Sequence, residues 1–422
     1  MKISAFIIYK VYIKQVKSSI NRKAYLTARS FYPRFQAIYM NLEDTLLMMP
    51  GPVPVAPRVL RAMSRPMINH RSNAFSDMYD DCRQILAEVF NTKNDIFVLS
   101  GSGTAAMEAA VGCIANPNDR IIALENGKFG ERFKNIAKRY GKVEALAYEW
   151  GDSVDLGQLE EKLEEGAKAV TLVHNETSTG ILNPAKEVGK LAKKYGALFI
   201  MDGVTSLGGD LVKVDEWDVD IALVGSQKCL ATPPGLSVVS VSKKAFEAMD
   251  DMERMPYYLD LKAYKKSSEK ALRETPYTPA IPLFYALQEA LHIIKEEGME
   301  ARIKRHCTEA AAVRAAMEAM GIEMLPDLNE YSHYSNTVSA MKAPEGVTGN
   351  DIKKDMQARG IVIAGGQDRL SGKIFRIGNM GNVQPKDILL TVAELEIVLK
   401  KRDVVSSVGP GIEAASDVLD TL

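Results

Sequence analysis

The sequence predicts an α/β fold, with a large domain built on a mostly parallel seven-stranded sheet and a smaller α+β domain at the C-terminal end. Between about residues 81 and 240, apolar runs of strand length alternate with segments of helical period. That alternation is typical of parallel sheets covered on both faces by helices. After Pro282 the pattern changes to two long helices followed by short strands, which indicates a second domain.

The composition sets limits on the function. The 422 residues are 46% hydrophobic and 25% charged, as in ordinary soluble globular proteins, and they suffice for two domains. The net charge of −1 gives no reason to expect a nucleic acid or a membrane as partner, and no apolar run approaches the roughly 20 residues of a membrane helix. The four cysteines are widely spaced and lack a CxxC pattern, which argues against zinc or disulfides. We therefore expect a cytoplasmic protein without a metal site.

The first 39 residues differ from the rest of the chain. They contain eight lysines and arginines but no aspartate or glutamate, whereas the remaining residues carry a net charge of −9. A basic, acid-poor segment of this kind is one pattern of a targeting peptide. However, it has no clear cleavage site, and Met40 opens a segment of normal composition. We therefore favour a poorly ordered or loosely docked extension outside the working protein, with Met40 as the start.

The large domain, residues 40–282, is predicted from two alternating periods. Apolar runs predict strands at 95–99, 120–124, 143–148, 169–174, 197–202, 221–225 and 237–240. Segments with one apolar face predict helices at 81–90, 130–140, 156–165 and 185–195, and a run of small residues predicts one at 104–115. Strand–helix–strand units of this kind are joined by right-handed crossovers.

The smaller domain, residues 283–402, begins with two long helical periods, 283–297 and 299–320. Short apolar runs then predict strands at 337–340, 361–363 and 373–377, and amphipathic segments predict helices at 349–359 and 385–401. Residues 403–422 are rich in serine, glycine and aspartate, and we expect them to form a frayed tail.

A glycine-rich turn at residues 101–106 (Gly-Ser-Gly-Thr-Ala-Ala) follows the first strand and opens a helix. It matches the G-x-G-x-x-A pattern of dinucleotide sites, and Glu125 ends the next strand where a ribose-binding acid is expected. The turn also suits a phosphate monoester, because free N–H groups at a helix start attract anions and Ser102 and Thr104 add hydroxyl donors. A purely structural turn is the third interpretation. This stretch alone does not choose among the three.

Asp202 and Lys228 stand at the ends of successive predicted strands, in Leu-Phe-Ile-Met-Asp and Val-Gly-Ser-Gln-Lys-Cys-Leu. In open α/β sheets these ends line the crevice where ligands bind. Pyridoxal 5′-phosphate needs a lysine for its Schiff base and an acid for its ring nitrogen. Taken singly, Asp202 is equally suited to cap a turn, and an isolated lysine after a strand is usually solvated. The pair together with the phosphate turn favours pyridoxal phosphate.

Two further residues fit that cofactor. Phe129 follows the strand that Glu125 ends, where an aromatic ring is able to stack on the pyridine ring. Thr177 lies in a polar run, residues 174–180, after another apolar strand, and its hydroxyl is placed to donate to the cofactor's phenolic oxygen. A core phenylalanine and a solvated turn are the alternatives.

The residues in Ser100–Glu108, Glu176–Gly180, Asp202–Gly209 and Gly225–Gly235 together resemble the class V aminotransferases of fold type I. More closely, they resemble the alanine–glyoxylate and serine–pyruvate aminotransferases. The resemblance extends in order from about Met49 to Leu399. The Ser-Gln-Lys block with its Pro-Pro-Gly exit is highly specific, whereas the glycine turn alone is not.

The resemblance implies a role for each residue. Lys228 is the catalytic residue that forms the Schiff base, and Asp202 pairs with the pyridine nitrogen. Phe129 replaces the tryptophan that relatives often carry as the stacking ring, and Thr177 serves the phenolic oxygen. The phosphate is held by Ser102, Gly103, Thr104 and Gln227, and Val204 lies against the opposite face of the ring.

The substrate and the partner subunit are implied in the same way. Arg376 matches the arginine that binds the substrate α-carboxylate, for which a bidentate guanidinium is suited. Gly51 belongs to a Gly-Pro loop at the substrate mouth. Tyr277 and Thr278 resemble a segment that reaches the phosphate of the other subunit in a homodimer. Mammalian-type relatives place the threonine three residues after the tyrosine, where this chain has Ala280, so either Thr278 or another residue completes that site.

The implied reaction is a ping-pong transfer of an amino group between a small amino acid (alanine, serine or aspartate) and a 2-oxo acid (glyoxylate, pyruvate or 2-oxoglutarate). Arg376 reads any α-carboxylate, and His70 and Arg71 offer only a weak candidate for a second anion site. A cysteine desulfurase is the main rival, but residues 325–346 contain no cysteine and Cys307 lies in a helical pattern. A dinucleotide-dependent dehydrogenase is a remote alternative.

Overall fold

The computed structural model describes residues 45–422, and the predicted basic extension at residues 1–39 lies outside them. Fifteen strands are present in this part of the chain. In chain order they are β1 (Leu46–Leu47), β2 (Asp95–Ser100), β3 (Arg120–Glu125), β4 (Lys142–Ala147), β5 (Ala169–Val173), β6 (Asn175–Glu176), β7 (Ile181–Leu182), β8 (Leu198–Asp202), β9 (Ile221–Gly225), β10 (Leu236–Val241), β11 (His333–Tyr334), β12 (Val338–Lys342), β13 (Ile361–Val362), β14 (Ala364–Gly365) and β15 (Ile374–Gly378).

Thirteen α-helices accompany these strands between residues 45 and 422. They are α1 (Pro57–Ala62), α2 (Asn73–Phe90), α3 (Gly103–Gly112), α4 (Lys128–Ala137), α5 (Leu156–Glu164), α6 (Ala185–Lys194), α7 (Lys243–Asp250), α8 (Leu261–Ser268), α9 (Ile281–Glu297), α10 (Met299–Ala319), α11 (Gly349–Ala358), α12 (Pro385–Lys401) and α13 (Pro410–Leu419). A 3₁₀ turn spans Asp368–Leu370.

The seven longer strands from β2 to β10 form one sheet in the order β2-β10-β9-β8-β5-β3-β4. All pairs are parallel except those of β10, which is antiparallel to β2 and to β9. This confirms the predicted seven-stranded, mostly parallel sheet. Since β10 reverses direction between two neighbours, β2 and β9 point the same way. The carboxyl ends of β2, β5, β8 and β9 therefore meet at one edge of the sheet.

Both faces of the sheet are covered, which explains why its central strands are apolar throughout. Every residue of β5, β8 and β9 is buried. Along β8, Phe199 packs in a cluster with residues of α2, α6 and α9, whereas Ile200 packs in a second cluster with residues of α3, α4 and α8. Parallel strands buried on both faces need apolar side chains at every position. The edge strand β4 has exposed residues instead.

The C-terminal part contains an antiparallel sheet, β12-β15-β14, covered by helices. β1 pairs in parallel with β13, and Met48 packs in the same apolar cluster as residues of α10, α11 and α12. The segment that precedes α1 is therefore attached to the C-terminal elements, although we expected it in the large domain. The division at residue 282 otherwise stays a prediction.

The prediction of a frayed tail is wrong. Residues 410–419 form α13, which begins with Pro410 at its first position and buries Ala415 and Leu419 in the cluster that α10 and α12 line. Proline is well suited to a helix start, because its missing N–H would be unpaired there anyway. Within residues 45–422, no helix combines the length and apolar character needed to cross a membrane.

Candidate functional site

The end of β8 and the segment after β9 bring Asp202 and Lys228 to the same edge of the sheet. The two strands are parallel neighbours, with Asp202 paired to Leu223. Lys228 follows three residues after Gly225, the last residue of β9, and its Nζ donates to the carbonyl oxygen of Pro50. Burial lowers the pKa of Lys228 to about 8, and the positive charges of Arg376 and Arg132 act in the same direction. A much larger fraction of the amine is therefore neutral at physiological pH than in a solvated lysine.

Asp202 is an almost fully buried carboxylate, with 3% of its surface exposed. Its Oδ1 accepts the backbone N–H of Val204 at 2.7 Å. Burial raises the pKa of Asp202 to about 7. It forms no ion pair with any residue of the described chain, so a cationic ring nitrogen would supply the missing partner.

The glycine turn begins α3, with Ser102 as its extended N-cap residue. The Ser102 side chain makes no capping hydrogen bond, so its hydroxyl is available beside the first N–H groups of the helix. A Cβ on Gly103 would lie 2.9 Å from Cγ2 of Val204, so this position needs glycine. The buried Oε1 of Gln227 has no hydrogen-bond partner within residues 45–422. Rotation of the carboxamide would instead present its NH₂ group, a donor for an anion.

Arg376 lies on β15 with only 5% of its surface exposed. Its Nε and Nη2 donate to the carbonyl oxygen of Gly365 at 3.0 and 2.8 Å, and its Nη1 donates to that of Thr177 at 2.7 Å. These bonds use three of the five N–H groups of a guanidinium and leave one on each terminal nitrogen. Burial lowers the pKa of Arg376 to about 10, so the group stays cationic near neutral pH. The fixed fork suits a carboxylate.

Thr177 is buried next to Arg376 and contacts Thr205. The two hydroxyl oxygens are 3.0 Å apart, and Thr205 donates to the carbonyl oxygen of Asn175 at 3.0 Å. With the Thr205 proton used in that bond, the proton between the two hydroxyls belongs to Thr177. The predicted donation from Thr177 to a ligand therefore requires its hydroxyl to rotate away from Thr205.

Gly51 lies directly against the lysine. A Cβ at this position would be 2.8 Å from Nζ of Lys228 and 2.9 Å from Cε, and the backbone φ of Gly51 is +88°. Both facts require glycine, because only glycine adopts this conformation without strain and leaves room for the lysine. The structure thus brings Gly51, predicted at the substrate mouth, into contact with Lys228.

Phe129 is the second residue of α4 and lies close to a carboxylate to which the sequence analysis assigned no role. Glu176 is fully buried and accepts the N–H groups of Phe129 and Gly130 at 3.0 and 2.9 Å. It therefore fixes the start of the helix that positions the Phe129 ring. Burial raises the pKa of Glu176, and its hydrogen bonds oppose this shift. In the sequence Glu176 lies in the polar run of residues 174–180, and nothing there distinguishes it from its polar neighbours.

Arg132 is the second residue that the sequence analysis missed. It stands one helical turn after Phe129 on α4, and its guanidinium carbon is 4.7 Å from the centre of the Phe129 ring. Its Nη1 donates to Oγ1 of Thr104 at 3.2 Å, so it contacts the glycine turn as well. The spacing of three residues on one helix face would have indicated the contact with Phe129.

Tyr277 and Thr278 are not joined to the glycine turn by any hydrogen bond in the described chain. The Tyr277 hydroxyl donates to the carbonyl oxygen of Tyr257 at 2.5 Å, and its ring stacks on Tyr258 with centres 5.1 Å apart. Thr278 is exposed. Their predicted role toward a partner subunit therefore stays a prediction.

Three side chains on which other functional interpretations depended are not available for those roles. Glu125, the acid expected in a dinucleotide site, is buried and paired with Lys134. Arg71, the weak second anion site, pairs with Glu274 at 3.1 Å. Burial raises the pKa of Cys307 to about 11, which keeps this thiol protonated and poorly nucleophilic.

The chain matches known proteins along most of its length. A family model described as aminotransferase class V matches residues 58–377. An uncharacterized aminotransferase of Methanocaldococcus jannaschii is 47% identical over 381 residues, which cover 89% of this chain and 97% of that one. The serine–glyoxylate aminotransferase of Arabidopsis thaliana is 35% identical and covers 88% of this chain and 94% of its own.

A solved structure agrees with these matches. The ureidoglycine–glyoxylate aminotransferase of Bacillus subtilis superimposes with a TM-score of 0.84 at 34% identity, covering 89% of this chain and 98% of that one. The fold, the converging Asp202, Lys228 and Arg376, and the similarity along the chain agree with one another. This protein belongs to the class V family of pyridoxal-phosphate-dependent aminotransferases.

Proposed function

We propose that this aminotransferase moves an amino group from a small amino acid to glyoxylate, with Lys228 as the catalytic residue. The observation that supports this most directly is the position of Lys228. Its amine is buried, has a pKa lowered to about 8, and interacts electrostatically with both the unpaired Asp202 and Arg376. A desolvated lysine of this kind is suited to imine formation and to proton transfer.

The residues present fit pyridoxal phosphate. Ser102, Gly103, Thr104 and Gln227 would hold the phosphate, and the unpaired Oε1 of Gln227 marks a polar position without a protein partner. Asp202 would pair with the ring nitrogen. The ring would lie between Phe129 and Val204, with Thr177 near the phenolic oxygen. When bound, the cofactor supplies an aldehyde for the lysine and a ring that accepts electrons from the substrate Cα.

Three side chains of this chain then perform one task each. Arg376 binds the substrate carboxylate through its two remaining N–H groups and so orients the Cα–H bond. The Nζ amine of Lys228 would act as the base that removes the substrate Cα proton and then as the acid that gives the proton back. Asp202 keeps the ring nitrogen protonated. Release of one 2-oxo acid before the second one binds makes the kinetics ping-pong.

The choice of glyoxylate rests on the charged groups at the site and on the relatives named above. Two guanidinium groups act on the Lys228 amine, Arg376 on the substrate side and Arg132 at the glycine turn. Because Arg376 is the one cation proposed to bind a substrate carboxylate, an acceptor with one carboxylate is favoured over 2-oxoglutarate, which has two. The two relatives named above that have an assigned substrate both act on glyoxylate. Alanine, serine and aspartate remain the donors to be compared.

A half-reaction screen tests this proposal. Purified holoenzyme is mixed with one amino acid at a time, and loss of the visible absorbance of the cofactor bound to Lys228 is followed. The converted enzyme is then mixed with glyoxylate, pyruvate or 2-oxoglutarate. We expect conversion by a small amino acid and fastest recovery with glyoxylate. Faster recovery with 2-oxoglutarate, or release of sulfide from cysteine, would contradict the proposal.

The enzyme is further proposed to be a cytoplasmic homodimer with Tyr277 and Thr278 in the active site of the partner. The free state of Cys82, Cys113, Cys229 and Cys307 supports a reducing compartment. The exposure of Tyr257 (84%) and Thr278 beside the Tyr277 stack supports a surface that a second copy covers. Sedimentation of the holoenzyme tests the dimer, and a monomer with full activity would refute it.

A further inference from the structure

Arg132 is a cation at the cofactor site that the family resemblance did not assign. Its guanidinium donates to Thr104, in the first turn of α3, and stacks on Phe129, at the start of α4. It therefore joins the element proposed to hold the phosphate to the element proposed to stack on the ring. It is half-buried, so part of its surface faces neither residue.

Arg132 has no carboxylate partner among residues 45–422. The nearby carboxylates are engaged, because Glu131 on α4 pairs with Lys128 at 2.6 Å and Glu125, at the end of β3, pairs with Lys134. Glu108 and Arg132 line one surface cavity, and Glu108 accepts the hydroxyl of Tyr140 at 2.9 Å. The guanidinium acts on Asp202 without forming an ion pair with it, so no paired anion neutralises its charge beside the glycine turn. An unbalanced cation attracts an anionic ligand.

The other groups proposed for the phosphate are neutral. Ser102, Gly103, Thr104 and Gln227 offer hydroxyl, amide and N–H donors, and the start of α3 adds only the partial charge of a helix dipole. A phosphate monoester carries close to two negative charges at neutral pH. Among the described residues, Arg132 is a cationic side chain that donates a hydrogen bond to this turn, at Thr104.

We propose that Arg132 is a phosphate-binding residue that compensates the charge of the cofactor phosphate and at the same time steadies the Phe129 ring. The inference rests on the proposed cofactor site and adds a residue to it. It implies that Arg132 contributes to cofactor affinity by contacting the phosphate, and therefore only for ligands that carry one. The alternative is that Arg132 only supports Phe129, and then its loss would affect phosphorylated and unphosphorylated ligands equally.

The test compares two ligands that differ only in the phosphate. Full-length protein stripped of cofactor is titrated with pyridoxal phosphate and, separately, with pyridoxal, and the dissociation constants are read from protein fluorescence. We expect Arg132→Gln to weaken pyridoxal phosphate binding by roughly 10- to 100-fold, as for loss of a hydrogen bond to a charged group. Binding of pyridoxal should change less than about threefold. Arg132→Lys, which keeps the charge, should fall between wild type and Arg132→Gln.

Arg139→Gln is the matched control, because Arg139 lines the same cavity and is exposed. It should leave both dissociation constants unchanged. An equal loss for both ligands in Arg132→Gln, or no loss for either, would overturn the inference while leaving the proposed function intact. Wild-type protein that binds neither ligand would overturn the proposed function and this inference with it.

Discussion

Replacement of Gly51 by alanine separates the effect of the site on activity from its effect on stability. The added Cβ would lie 2.8 Å from Nζ of Lys228, whereas carbon contacts are comfortable at about 3.5–4.0 Å. The Lys228 side chain must therefore move by roughly 1 Å. Because it is flexible, this movement costs little energy, but it displaces the reacting amine. A displacement of about 1 Å is able to reduce turnover by about 100-fold.

The backbone supplies a second, smaller effect. Gly51 has φ of +88°, and alanine in a left-handed conformation costs about 1–2 kcal/mol. Gly346→Ala is the matched control, because Gly346 has φ of +78° and no atom within 4 Å of its added Cβ. Both variants should lose similar stability in urea unfolding, whereas Gly51→Ala alone should lose turnover with saturating donor and glyoxylate. Equal turnover in the two variants would refute this account of Gly51.

Two further predictions concern the charged residues of the site. Burial raises the pKa of Asp202 to about 7. The folded cofactor-free chain therefore keeps a proton that the unfolded chain releases near pH 4. As pH rises from about 4 to 7, this carboxyl group lowers the free energy of unfolding of the wild type. The stability of Asp202→Asn, measured by urea unfolding, should therefore rise relative to that of the cofactor-free wild type across this pH window, by on the order of 4 kcal/mol at most. A difference in unfolding free energy that stays constant with pH would contradict the buried, unpaired carboxylate. Arg376→Lys should raise the donor concentration for half-saturation of the half-reaction by roughly 10- to 100-fold, because lysine cannot reproduce the fork. Arg369→Lys, on the neighbouring 3₁₀ turn, is its control and should have little effect.

The sequence predicted the central sheet well because its strands are buried on both faces. The run Ile221–Gly225 was predicted with the observed bounds, since every residue in it is apolar or glycine and every one is buried. Helix α2 was predicted only from residue 81, whereas it begins at Asn73 with Ser72 as its cap. Its first turns carry Asp77 and Asp80 between buried residues, and tertiary packing of Phe75 and Tyr79 establishes the helix there.

The sequence singled out Lys228, Asp202 and Arg376 because each residue type is tied to one chemical task, and the structure buries all three side chains. Glu176 and Arg132 were missed because their importance depends on contacts across the fold. Glu176 is separated by 47 residues from Phe129, whose N–H it accepts, and Arg132 by 28 from Thr104. α13 was missed for a similar reason, because its buried face exists only against α10 and α12.

The central claim is that the buried amine of Lys228 performs the chemistry. The direct measurement is the rate of the half-reaction with the best amino donor in Lys228→Ala, together with the visible spectrum of the protein loaded with pyridoxal phosphate. We expect the rate to fall by about 10⁴-fold or more and the absorbance band of cofactor bound to lysine to disappear, while the unfolding curve stays close to that of wild type. A half-reaction of wild-type rate, or an unchanged band, would contradict it.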